Sequence, residues 1–255
     1  MDNLWLLAGG GLFGGLLAGI FGIGGGTVLV PLIIAVGYTP VQAVATSSLA
    51  IVLTAVSGSL QNYRMGYLNL QRVWSLGFPA IITAQFGAYI ASDLRDRALL
   101  IAFGILLIIN IFLASWRKRL PKPDDSQPEE TQHRTLAQVT TGGIAGFLAG
   151  LFGIGGGAIM VPLQMVLLGE PIKVAIQTSL GVIVITGISA TVGHAWQGNV
   201  LFGQGLVLGL GGLVGAQVST RYLPKLRDRA ITLGFYTLLV LLAIYTFWQA
   251  SLLTD

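Results

Sequence analysis

The run Gly-Ile-Gly-Gly-Gly stands twice in this chain, at Gly22–Gly26 and at Gly153–Gly157, 131 positions apart. Each copy is followed at the same distance by a proline, Pro31 and Pro162, and 13 of the 18 aligned positions of Gly15–Leu32 and Gly146–Leu163 are identical. Both copies lie inside long apolar stretches. Each glycine costs a helix about 1 kcal/mol relative to alanine, so a cluster of four glycines in five residues is a candidate helix break. In lipid, freed backbone groups cost several kcal/mol each unless protein or water meets them. A duplicated helix break at membrane depth is the sequence mark of a transporter built from two repeats, with its binding site between them.

The membrane reading rests on charge. Only 9% of the 255 residues are charged, against about 25% in a soluble domain. The uncharged run Leu4–Gln61 far exceeds the roughly 20 residues that cross a bilayer. The net charge of +4 resides in loops beside apolar spans, where it orients the protein and does not point to nucleic acid. With no cysteine there is neither a disulfide nor a thiol nucleophile. The start lacks a basic region and Leu4–Phe21 recurs mid-chain, so a cleaved signal peptide is not expected.

Apolar segments fall near 4–21, 27–36, 40–61, 73–91 and 98–116, and again near 136–152, 158–168, 172–192, 202–220 and 230–250. The halves also share Leu-Arg-Asp-Arg-Ala at 94–98 and 226–230, now 132 apart, which suggests a one-residue insertion near Gln197. The expected organisation is therefore a first membrane repeat over 1–116, a polar linker loop over 117–135 and a second repeat over 136–255.

Each glycine-broken stretch counts as one span or as two, which gives parallel or inverted repeats. Basic residues decide between them. With ten elements and a cytoplasmic central loop, Arg64, Arg72, Arg117, Lys118, Arg119, Lys122, Arg134, Lys173, Arg221, Lys225, Arg227 and Arg229 lie inside, and only Arg95 and Arg97 outside: 12 against 2. With eight spans the division is 7 against 7. The expected fold is thus an all-α integral membrane protein of two inverted-topology repeats, about five helical elements each, with glycine-broken hairpins. It would span the cell (inner) membrane many times with both termini external. The five tryptophans stand near segment ends, as an interfacial belt requires.

The short segments after the breaks start at glycines, so their first amides are free and carry about half a positive charge at each helix end. Two such ends meeting near the midplane would cage a small anion; a tight helix crossing is the alternative. Candidate substrate-binding residues are Gly24, Gly25, Gly26 and Thr27 with Gly155, Gly156 and Gly157. To these are added Ser47 and Ser48 with Thr178 and Ser179, from Thr-Ser-Ser-Leu and Gln-Thr-Ser-Leu at 46–49 and 177–180, and the mid-span amides Gln85 and Gln217. Asn62 and His194 stand at element ends and are expected to cap helices or face water, with a gate or proton carrier the alternative for His194. No acidic residue lies within a span, so carboxylate-based coupling has no group to use. No metal ligand set or cofactor site is legible, and no HExxH or GxSxG motif suggests an enzyme.

The repeated GxGGGxxxxP pattern, the halved architecture and the Ser/Thr-rich segment after each hairpin resemble the TauE/SafE sulfite exporter family, also called TSUP, over the whole chain. The resemblance implies a transporter of sulfite or an organosulfonate, with export the expected direction. Its partners would be that small anion and the lipid bilayer, and the glycine-rich faces are compatible with a homodimer. Alternating access of one repeat against the other is the leading mechanism, and a passive anion channel on the same scaffold is the alternative.

Overall fold

The computed structural model describes residues 4–117 and 131–252. They form ten α-helices: α1 (Leu4–Phe21), α2 (Gly26–Ala35), α3 (Pro40–Arg64), α4 (Leu70–Asp93), α5 (Asp96–Arg117), α6 (Thr131–Phe152), α7 (Gly157–Leu167), α8 (Ile172–Trp196), α9 (Phe202–Tyr222) and α10 (Asp228–Leu252). Eight are long and apolar enough to cross a membrane, and α2 and α7 are short. Residues 118–130 of the expected linker lie outside the described residues, and α6 already begins at Thr131, five residues ahead of the expected second repeat.

Local chemistry sets the ends. Thr39 and Gln42 exchange side-chain to backbone hydrogen bonds of 3.3 and 3.4 Å at the head of α3, with Pro40 following the cap. Such a reciprocal cap satisfies two of the amides that every helix start leaves free. Asn69 caps α4 with one bond, accepting from the Arg72 amide at 3.1 Å. Gly22, Gly24 and Gly25 have φ of 69°, 68° and 82°, and Gly153, Gly155 and Gly156 have 64°, 69° and 74°. These are left-handed values that side chains resist, so the chain turns sharply at both motifs.

After each turn the short helix folds back along the helix before it. Gly14 stands against Leu29 and Gly10 against Leu32, so α2 runs antiparallel to α1. Gly156 returns to Ala145 in the same way, which sets α7 against α6.

Glycine faces set the directions of the long helices. Gly11, Gly15 and Gly19 of α1 meet Leu208, Gly212 and Ser219 of α9 in rising order, and Gly142, Gly146 and Gly150 of α6 meet Leu76, Ala80 and Ala84 of α4 likewise. A Cβ on Gly15 would overlap the Gly212 carbonyl oxygen. Lipid supplies no hydrophobic drive for helix association, so this small-residue approach supplies packing in its place. Gly205 and Gly209 meet Leu49 and Leu53, making α3 parallel to α9, and Gly77 and Gly181 meet Ile185 and Val73, making α4 parallel to α8. Gly58 touches Leu180 while Gly187 touches Val52, so α3 and α8 are antiparallel. Hence α1, α3 and α9 run one way and α4, α6 and α8 the other.

This arrangement gathers Arg64, Arg72, Lys173 and Arg221 at one end of the bundle. There Arg72 pairs with Glu170 at 3.0 Å and Lys173 with Asp228 at 3.3 Å. Trp5, Trp74, Trp196 and Trp248 are all exposed near helix ends.

One expectation about register changes. Ser47 and Ser179 make the same contacts in the two halves and are 132 apart, so the extra residue enters before α8 and not near Gln197. It is accommodated in α7, which has 11 residues where α2 has 10. Two adjacent serines, Ser47 and Ser48, let the sequence alignment slide by one position without losing identity.

Candidate functional site

The two glycine turns touch. A Cβ on Gly26 would stand 2.5 Å from the Gly153 oxygen and 2.6 Å from Ile154 Cα, and one on Gly157 would overlap the Gly22 oxygen and reach Ile23 Cα at 2.9 Å. Between and beside them lie Ile183 and Ile51: a Cβ on Gly155 would be 2.7 Å from Ile183 Cγ2 and 2.8 Å from Ile51 Cδ1. Both isoleucines stand at the middle of 25-residue helices, α8 and α3. At about 1.5 Å per residue each of these helices is roughly 37 Å long, so the turns meet near mid-depth.

The backbone polar groups of the turns are met unequally. Among the described residues no acceptor of good geometry meets the amides of Ile23, Gly24 and Gly25 or those of Ile154, Gly155 and Gly156, while the chain closes a hydrogen-bonded turn over 24–25 and over 155–156. The Thr27 hydroxyl, fully buried, is also without a partner. Pro31 and Pro162 have no N–H and remove the usual donors to the carbonyls of Thr27 and Ala158. These six buried amides in two opposed turns form a concentrated field of positive dipole ends.

The carbonyls, by contrast, are held. Ser47 donates to the Gly153 oxygen at 2.7 Å and Ser179 to the Gly22 oxygen at 2.7 Å, each reaching from one half to the turn of the other. Thr186 donates to the Gly155 oxygen at 2.9 Å. So Ser47 and Ser179 fix the turns' shape, while Ser48 bonds back to Val44 in its own helix at 3.0 Å. Thr178 is buried one residue before Ser179.

Gln85 and Gln217 stand apart from the turns. Gln85 donates to the Ser189 oxygen and hydroxyl at 2.6 and 3.0 Å, bonding α4 to α8. Gln217 accepts from Ser57 at 3.0 Å and donates to Gln61 at 2.7 Å, bonding α9 to α3. Gln61 also accepts from Arg221 Nε at 3.3 Å, so this polar chain leads out to the arginine-rich end. Gln85 lines a cavity of about 430 Å³ with Phe86, Tyr89, Gly193, Trp196 and Gln197 at the opposite end.

Asn62 and His194 differ from expectation. Both are fully buried, neither capping its own helix nor facing water. They too are 132 apart. The helix-helix packing of α3 on α1 and α9, and of α8 on α6 and α4, closes over the ends where they sit. Residues the sequence reading missed are Thr186, Ile183 and Ile51. A 132-residue offset would have paired Thr54 with Thr186 and Ile51 with Ile183.

The sulfite exporter TauE/SafE family profile matches residues 7–246. A protein of Bacillus subtilis (strain 168) named "Probable membrane transporter protein YunE" is 26% identical over 261 residues, covering 94% of this chain and 95% of that one. A "Probable membrane transporter protein" of Haemophilus influenzae is 30% identical over 189 residues, 70% of this chain and 69% of its own. A further protein so named, from Methanocaldococcus jannaschii, is 27% identical over 191 residues, 72% of this chain and 69% of its own.

Proposed function

Because the chain belongs to the TauE/SafE sulfite exporter family and is a multi-pass membrane transporter, we propose that it moves a small anion, sulfite or an organosulfonate first, outward across the cell membrane. The observation that carries this reading is the pair of touching turns with six buried amides, Ile23–Gly25 and Ile154–Gly156, that meet no acceptor of good geometry. Amides at a broken helix start bind anions without a counter-charge. Affinity built from dipoles alone is modest, which favours release.

The proposed ligand-facing set is Gly24, Gly25, Gly26 and Thr27 with Gly155, Gly156, Gly157 and the adjoining Thr178. Ser47 and Ser179 act on the ligand through the carbonyls they hold. Gln85 and Gln217 contribute to the helix contacts around the site, and Ser48 bonds within its own helix.

Two inverted repeats, 1–116 and 136–255, supply the mechanism. The opposite directions of α1 and α6, of α3 and α8, and of α4 and α9 support the inversion. In alternating access, one repeat rocks against the other about the turns. The arginine-rich end is assigned to the cytoplasm by the positive-inside rule, which puts both termini outside.

The test is flux of labelled sulfite and of labelled methanesulfonate in proteoliposomes. Saturable flux is expected, and a linear dependence on concentration up to high levels would replace the carrier by a channel. Thr27→Ala places in the first turn the residue that the second turn already has at Ala158, so folding is expected to survive. Loss of a hydrogen bond to a charged ligand is worth about 1.5–3 kcal/mol, so KM should rise roughly tenfold or more. An unchanged KM would remove Thr27 from the ligand.

A further inference from the structure

His194 is the only fully buried side chain among the described residues that can change its charge near neutral pH. Its Nε2 lies 2.8 Å from the Gly150 oxygen, and its Nδ1 is buried without a partner. The first contact has a clear cause. α6 stops at Phe152, so Gly150 has no helical donor four residues on, and the imidazole caps that orphan carbonyl. A carbonyl can only accept, so Nε2 carries the proton and Nδ1 is a bare acceptor in the neutral ring.

A bare ring nitrogen in a buried place is met by a proton or by a donor. The polar atoms along the same helix face extend this pattern. Thr191, one turn before, has a buried hydroxyl without a partner. In the other half the equivalent positions, 132 residues earlier, are Ser59 and Asn62, and their buried polar atoms also lack partners. Thus unpartnered polar side chains stand toward the far end of both α3 and α8, about two to three turns beyond Ile51 and Ile183. His194 is among those of α8 and the non-titrating Asn62 among those of α3.

We propose that His194 is a proton-binding gate on the anion's route between the outer end of α8 and the glycine turns. This rests on the transport reading above. A proton taken up at Nδ1 turns the acceptor into a second N–H donor and places a positive charge where no other stands. The anion is then held as it passes the end of α6. Gly193 lines the 430 Å³ cavity at this end, which brings open space to the neighbouring residue.

The helices packed on α8 bring little other charge. α4 has Tyr89 and Asp93 at this end, with Asp93 next to the Ser92 that bonds Gln197 one turn further out, and Arg72 at the other. α3 has Tyr63 and Arg64, and α6 His133 and Arg134, all toward the opposite end. α10 has Asp228, Arg229, Tyr236 and Tyr245, and α1 and α7 have no ionisable side chain. Because Asn62 cannot titrate, the response to pH is one-sided.

The test uses the full chain in proteoliposomes and methanesulfonate, which stays ionised across the range. Acidifying the His194 face from pH 8 to 5.5 should raise flux roughly tenfold, as expected of a charge-assisted hydrogen bond, and acidifying the other face should not. His194→Gln keeps a donor for Gly150 but cannot titrate, so its flux should be flat with pH. A wild-type profile in that variant overturns the proposal.

A second measurement stands apart from transport. In a His133→Gln background His194 is the only histidine, and its ring nitrogens can be followed by nitrogen NMR. Saturating methanesulfonate should keep the ring protonated to a higher pH. An identical titration with and without the anion overturns the gate even if flux is robust. A titration that does respond, in a protein that moves neither sulfite nor sulfonate, would sink the transport reading alone.

Discussion

Gly157→Ala is expected to abolish anion flux, by a hundredfold or more, while Gly203→Ala leaves it unchanged. The added methyl at 157 must overlap the Gly22 oxygen and press on Ile23 Cα, forcing the two turns apart. Gly157 has no left-handed φ, so backbone strain does not enter, and the effect reports crowding where the turns meet each other and the Ile183 side chain, whose Cδ1 would stand 2.6 Å from the new methyl. Gly203, near the start of α9, would meet nothing within 4 Å. Overpacking of this kind costs about 1–3 kcal/mol, enough to lower the thermal midpoint without preventing folding. Gly26→Ala should behave in the same way, because its methyl would meet the Gly153 oxygen at 2.5 Å. By comparison Gly156→Leu would be a poor probe. Its φ of 74° and the Ala145 carbonyl beside it would disturb the hairpin itself. Flux at the wild-type level in Gly157→Ala, measured on protein shown to be folded, would mean that the contact between the turns is not needed.

The second large effect is on stability. Replacing Ser47 and Ser179 together by alanine leaves the Gly153 and Gly22 carbonyls buried without donors. An unsatisfied buried group costs about 1–3 kcal/mol, so the double variant should lose roughly 2–6 kcal/mol. Both bonds cross between halves, and flux should fall with stability as the turns loosen. Ser48→Ala is the matched control. Its hydroxyl only returns to Val44 in its own helix, and a change within about 0.5 kcal/mol is expected. Thermal unfolding in detergent, read on all three variants, checks this. Equal losses from Ser48→Ala and from the double variant would contradict the assignment of the two serines to the turns.

Much of this architecture is legible in the chain. The near absence of charge makes the helices membrane spans, and the repeated Gly-Ile-Gly-Gly-Gly motif locates both turns, whereas the glycine run at Gly9–Gly11 stays inside α1. The lengths of α2 and α7 follow from the distance to the next turn-forming residues, Gly37 and Gly169. Partners are what the sequence could not supply. Ser47 reaches a carbonyl 106 positions away and Ser179 one 157 positions away, and no local pattern marks which serine of an adjacent pair turns outward. Gln85 and Gln217 read as cavity amides because an unpaired mid-span amide is costly. Their partners, Ser189 of α8 for Gln85 and Ser57 and Gln61 of α3 for Gln217, are on helices that only the fold brings near. His194 has the same history. Near the end of its helix it looks like a surface cap, but the carbonyl it serves belongs to α6, left open by a break three residues on.

The central claim is that peptide dipoles of the two turns hold the anion. It is tested most directly by a structure of the protein with selenite, a sulfite analogue whose selenium is located by anomalous scattering. The account predicts one selenium site at mid-depth, its oxygens at hydrogen-bond distance, about 2.7–3.2 Å, from amides within Ile23–Thr27 and Ile154–Ala158. Selenium bound only elsewhere, with both glycine turns still packed on each other, would contradict it.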